Sequence, residues 1–162
     1  MVLSTFTLFH VVLSLVGILA GFAMLLGLLA GKRLKTWTTT FLWTTVLTSV
    51  TGFLFPYHGF KPSYAVGVIS LAVLALAIYA LNGSKLAGGW RRTFVISSVA
   101  ALYLNMFVLV AQLFTKLPAL MALAPTQTEA PFKLTQLTVL VIFIVLGTLA
   151  TMRFRDGQPH TA

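Results

Sequence analysis

"MVLSTFTLFHVVLSLVGILAGFAMLLGLLAG", residues 1–31, holds no Asp, Glu, Lys or Arg, and the cationic "KRLKT" of residues 32–36 follows it directly. A helix needs about 20 largely apolar residues to cross the hydrocarbon core of a bilayer. This stretch exceeds that length. A cleaved signal peptide would open on a positive segment and carry a shorter apolar centre, so the stretch reads as a retained span. The reading makes the chain an integral membrane protein and sets the terms for the rest of the sequence.

Working outward, four further runs of the same kind follow, which predicts spans at about 9–30, 37–55, 63–82, 94–115 and 134–152. The breaks between them are "GKRLKT", "PYHGFKP", "NGSKLAGGWRR" and the longer "KLPALMALAPTQTEAPFK", each joining turn formers or prolines to charge. The expected fold class is therefore all-α: a polytopic membrane bundle of five transmembrane helices in one domain, residues 1–162, ending in a polar tail at 156–162. Composition agrees. Of the 162 residues 59% are hydrophobic and 8% charged, with mean hydropathy +0.99, whereas soluble domains carry about 25% charged residues.

The net charge of +9 is a topology signal rather than a nucleic-acid footprint, because the cations sit in small clusters between apolar runs. No nucleic-acid partner is expected. Lys32, Arg33 and Lys35 follow the first span, Lys85, Arg91 and Arg92 the third, and Arg153 and Arg155 the fifth, against Lys61, Lys116 and Lys133 on the other side. Short loops rich in Lys and Arg stay cytoplasmic, so the N-terminus is expected outside and the C-terminus inside, with Trp37 and Trp90 as belt residues. Five spans and no internal repeat argue against a secondary transporter made of two equal halves. The absence of cysteine excludes disulfides, thiolate catalysis, iron–sulfur ligation and Cys-based zinc sites.

Candidate site residues collect in the outer half. The break "GFLFPYHGFKP" (52–62) supplies Tyr57 and His58, the first span supplies His10, the fourth Gln112 and the fifth Gln136. Together they define an expected outer pocket. Haem b or a quinone is the alternative occupant, since imidazole ligates metals and aromatic walls with one or two donors suit a quinone. No cofactor is otherwise predicted, and no metal site, because His10, His58 and Glu129 make a thin ligand set. Asn105 and Gln112 are expected to face the interior against the first or fifth span, as exposing an amide to hydrocarbon is unfavourable. The loop is expected to fold over the ends of the spans and bring His58 towards His10.

Gly17 and Gly21 form a G-x-x-x-G that allows close backbone approach, read as helix packing or as a self-association surface. Between residues 117 and 132 Pro118 opens a short interfacial helix that Pro125 ends, with Leu117, Leu120, Met121 and Ala124 towards the membrane. Glu129 and Lys133 are spaced for a local ion pair. The blocks "TSVTGFLFP", "LYLNMFVLVAQLF" and "LAPTQTEAPF" resemble those of small multi-pass inner-membrane proteins of bacteria, a likeness that implies an all-helical bacterial membrane protein and brings no activity with it. The expected function is a non-catalytic one, an accessory or ligand-binding subunit of a larger membrane complex. Its partners would be the lipid bilayer and other membrane proteins.

Overall fold

Residues 2–56, 59 and 62–155 are described by the structure, a computed structural model. The apolar opening forms α1, Val2–Leu29, whose end is closed by the amide of Lys32 donating 2.8 Å to the carbonyl of Gly27. Gly31 takes φ +77° in that turn, a left-handed conformation that glycine adopts without steric cost. Next come α2, Lys35–Gly52, and α3, Pro62–Ile78, which continues as a π-helical turn over Tyr79–Gly83. α4 covers Trp90–Lys116 and stops at Leu117, which is extended because Pro118 follows it. A short α5, Pro118–Leu123, and the long α6, Ala130–Arg153, complete the chain, both with proline in the first turn.

The described residues contain no strand. Among the described residues four helices are long and apolar enough to cross a membrane: Ser4–Leu29, Ser63–Gly83, Trp90–Lys116 and Ala130–Arg153. The exception among the long helices is α2, with eight threonines in 18 residues. Three of its hydroxyls turn back on their own helix: Thr44, Thr48 and Thr51 donate to the carbonyls of Thr40, Thr44 and Leu47 at 2.6, 2.7 and 2.7 Å. That satisfies these three polar groups within the helix itself.

Side-chain contacts fix the direction of each helix. Gly17 of α1 lies against Thr44 and Thr45 of α2, and Gly21 against Phe41, so the two helices run antiparallel. α6 runs alongside α1 in the same sense, with Phe22 and Phe143 6.2 Å apart and Gly31 facing the backbone of Arg153. α4 is central. It packs on α1, α2, α3, α5 and α6, and its Phe94, Val95, Ala101 and Leu102 are wholly enclosed. In lipid the gain comes from close packing rather than from apolar burial as such, since acyl chains are as apolar as leucine. Gly17 and Gly21 are buried inside this packing, against residues of α2 and α4.

Alternation of the helices brings Lys32, Arg33, Lys35, Lys85, Arg91, Arg92, Arg153 and Arg155 to one end of the bundle, hereafter the basic end. Two further features belong to the interior. Thr38 on α2 and Ser98 on α4 are buried with hydroxyls that have no partner. Each precedes by seven residues a member of the bonded pair Thr45–Asn105, so the two lie at one level on parallel helices.

At the opposite end α5 differs from expectation. Ala124 is 1% exposed and Leu120 packs with it against Val110 and Phe114 of α4, whereas Leu117 and Met121 stay exposed. The reason is the anchoring of the following loop: Gln127 Nε2 donates to the Ala111 carbonyl at 2.8 Å and to Thr115 Oγ1 at 2.9 Å, pulling the end of α5 onto α4.

Candidate functional site

His10 sits on α1 where Thr51 of α2 comes level with it, and its Nδ1 lies 2.8 Å from Thr51 Oγ1. The Thr51 hydroxyl spends its proton on the Leu47 carbonyl, so its oxygen accepts from the imidazole. This places the ring proton on Nδ1 and leaves Nε2 as an acceptor. Phe55 meets the ring edge-on at 5.1 Å and is itself 5.0 Å from Phe6, which makes an aromatic wall on one side of His10.

Beside the imidazole lies a partly open cavity of about 110 Å³ lined by four helices. α1 gives it His10 and Ser14, α2 gives Thr48 and Ser49, α3 gives Ser63, Tyr64 and Ser70, and α4 gives Asn105. One close approach builds its wall: the Phe53 ring lies over Gly67, 2.9 Å from where a Cβ would be, whereas His10 Cε1 would keep an ordinary contact distance of 3.6 Å from a Cβ at Gly52. Asn105 is held by donating from Nδ2 to Thr45 Oγ1 at 3.2 Å. The amide thus faces the bundle interior, against α2 rather than against the first or last span.

Hydroxyls, one amide, one imidazole and a phenol line this space beside the apolar Phe53, Val66, Leu104 and Val108, and the lining has no carboxylate, amine or thiol. Such groups bind by hydrogen bonding. The volume falls below the roughly 300–1,000 Å³ of sites for drug-sized ligands. It suffices for about three or four waters at ~30 Å³ each, or for a small polar group.

The expected pocket members separate. His10 lines the cavity; Tyr57 and His58 lie outside the described residues, as does any approach of His58 to His10. Gln136 is buried on α6, away from the cavity, where Nε2 donates to the Phe107 carbonyl at 3.1 Å and Oε1 has no partner. Gln112 is exposed. Val110 and Phe114 turn inward towards α5, and a residue two places from each points to the other side of a helix that advances about 100° per residue. Among the described residues no three His, Cys, Asp or Glu are grouped to hold a metal ion.

Sequence reading left α3 out of the site. Ser63, Gly67 and Ser70 step by four and three residues, a small-residue stripe on one helical face, and that spacing was the signal. Near the same end Glu129 accepts from Thr126 Oγ1 at 2.7 Å and from the Thr128 amide at 3.1 Å, so the loop rather than Lys133 takes its charge. The Thr126 hydroxyl, with the backbone amides of the loop, holds its carboxyl below the usual value of 4.5. Comparison with protein-family models, with curated proteins and with solved structures gave no match for the chain.

Proposed function

We propose that the chain is a non-catalytic integral membrane protein of the bacterial inner membrane, an accessory or ligand-binding subunit of a larger complex, with the His10 cavity as its binding site. It crosses five times, N-terminus outside and C-terminus cytoplasmic. α2 is the fifth span: it leads from the basic end of α1 to the opposite end, where α3 begins, and its 18 residues rise about 27 Å, close to the ~30 Å hydrocarbon core. The basic end is the cytoplasmic one by the excess of Lys and Arg. Loops this short leave little soluble surface, so partners meet the protein through its spans.

The observation that carries the ligand-binding reading is the cavity itself: hydrogen-bonding side chains from four helices converge on one partly open space in a largely apolar bundle. Polar groups within a membrane are costly and mark functional positions by default. Haem b or a quinone, the alternative occupant, finds less support in a space of about 110 Å³ beside the single histidine among the described residues.

Native electrophoresis and chemical cross-linking of the tagged protein in its own membrane test the subunit reading. Migration with other membrane proteins is expected, and a free monomer under mild extraction would count against it. The visible spectrum of the same preparation decides the alternative: a haem band that disappears in His10→Ala would replace the proposal with a redox one.

A further inference from the structure

A groove of about 430 Å³ runs along the bundle surface between α4 and α6, in the half nearer the basic end. Its size falls within the ~300–1,000 Å³ typical of ligand sites. Ala100 and Tyr103 form one wall, Ile144 and Thr148 the other, and the floor is the ring pair Tyr103–Phe143 with centroids 5.9 Å apart. The two threonines on the α6 side present methyl groups, because Thr148 donates to the Ile144 carbonyl at 2.8 Å and Thr151 to the Gly147 carbonyl at 2.7 Å. The groove is therefore suited to a hydrocarbon chain.

Its mouth is not apolar. One turn beyond Ile96 on the α4 wall stands Arg92, and Arg155 follows the extended Phe154 just past the end of α6; both are exposed. The ring pair Phe94–Phe154, 6.3 Å apart, joins the two helices at this level. Glu129, the only acid among the described residues, is at the other end, and the eight cations of the basic end outnumber the one further acid of the sequence, Asp156, which lies outside the described residues.

We infer that this groove is a binding site for an anionic phospholipid, one acyl chain lying between α4 and α6 and the headgroup phosphate held by Arg92 and Arg155. Charge complementarity selects this occupant. A guanidinium group matches a phosphate with paired hydrogen bonds, and the anionic headgroup brings the net charge that the mouth lacks. A second copy of the chain docked through the same face about a two-fold axis along the membrane normal would set arginines against arginines at one level. The site requires membrane embedding only and is independent of the His10 cavity.

The test uses the full chain in mild detergent, titrated with phosphatidylglycerol and with phosphatidylcholine of the same acyl chains and read by native mass spectrometry. One phosphatidylglycerol should bind roughly thirtyfold more tightly than phosphatidylcholine, as expected for two arginines near a lipid surface. Arg92→Gln with Arg155→Gln should abolish that preference without changing the thermal midpoint, both residues being exposed. Thr148→Phe, at an exposed position in the groove wall, should weaken both lipids. Equal binding of the two lipids by the parent, a preference that survives the double arginine change, or a dimer cross-linked through cysteines at Ile144 and Thr148 in place of the lipid would each overturn the assignment.

Discussion

Gly21 carries the closest approach in the bundle core. A Cβ there would stand 2.5 Å from Leu102 Cδ1 and 2.9 Å from Phe41 Cδ2, so any side chain pushes three helices apart at once. Gly21→Ala is expected to cost about 1–3 kcal/mol, as overpacking a tight core does. A lowered thermal midpoint in detergent checks it, and an unchanged one would mean that α1 shifts freely against α2 and α4. Asn105→Leu removes the hydrogen bond to Thr45 that joins α2 to α4 and should cost roughly 1 kcal/mol by the same measurement, near the upper range for such bonds in membranes. At this scale the sequence was partly legible. Gly17, Gly21 and Asn105 could be assigned to helix interfaces from spacing alone, but which helix each one meets depends on how α4 sits among the others. For Gln112 the spacing misled, because the face that α4 presents near its end is set by α5, and α5 is positioned by Gln127.

Helix limits followed from elementary rules where a proline stands: Pro62, Pro118 and Pro131 each fall in the first turn of a helix. Limits set by no such residue were harder to read, and α1 begins at Val2, well before the expected start, because nothing in "VLSTFTLF" opposes a helix. α2 illustrates the same gap. Its threonines lower its hydropathy, yet the hydroxyls of Thr44, Thr48 and Thr51 bond within the helix. The loop before α6 offers a pH test. Glu129 has its carboxyl lowered chiefly by the Thr126 hydroxyl, so the charged form favours the folded loop. That contribution is complete above the usual value of 4.5 and is lost as pH falls through the lowered folded value. An NMR titration of the Glu129 carboxyl carbon should give a midpoint below 4.5, and Thr126→Val should move it up. A parent midpoint at or above the usual value would remove the loop's claim on the charge.

For the molecule as a whole, the gathering of eight cations at one end makes a prediction about direction in the membrane. A reporter fused after Ala162 should be active only in its cytoplasmic form, and a periplasmic signal would reverse the proposed orientation. All-helical class and apolar helices could be read from composition and run length, because those follow from local chemistry. The cavity could not. It arises from four helices that meet only after folding, and its α3 wall of Ser63, Tyr64 and Ser70 looked like ordinary small and aromatic residues in a linear reading.

The central position of α4 also bears on how the protein is made. Helices α1 to α3 leave the ribosome first, yet Gly21 waits for Leu102 and Phe22 for Phe143, partners far downstream in the chain. At typical synthesis rates of about 5–20 residues per second, the early spans stand in the bilayer for on the order of ten seconds with their small-residue faces uncovered. During that interval α2 already offers His10 its Thr51 partner, but only lipid, the translocation machinery or a chaperone can cover the faces that later meet α4 and α6, so insertion and final packing are separate events in the life of this chain.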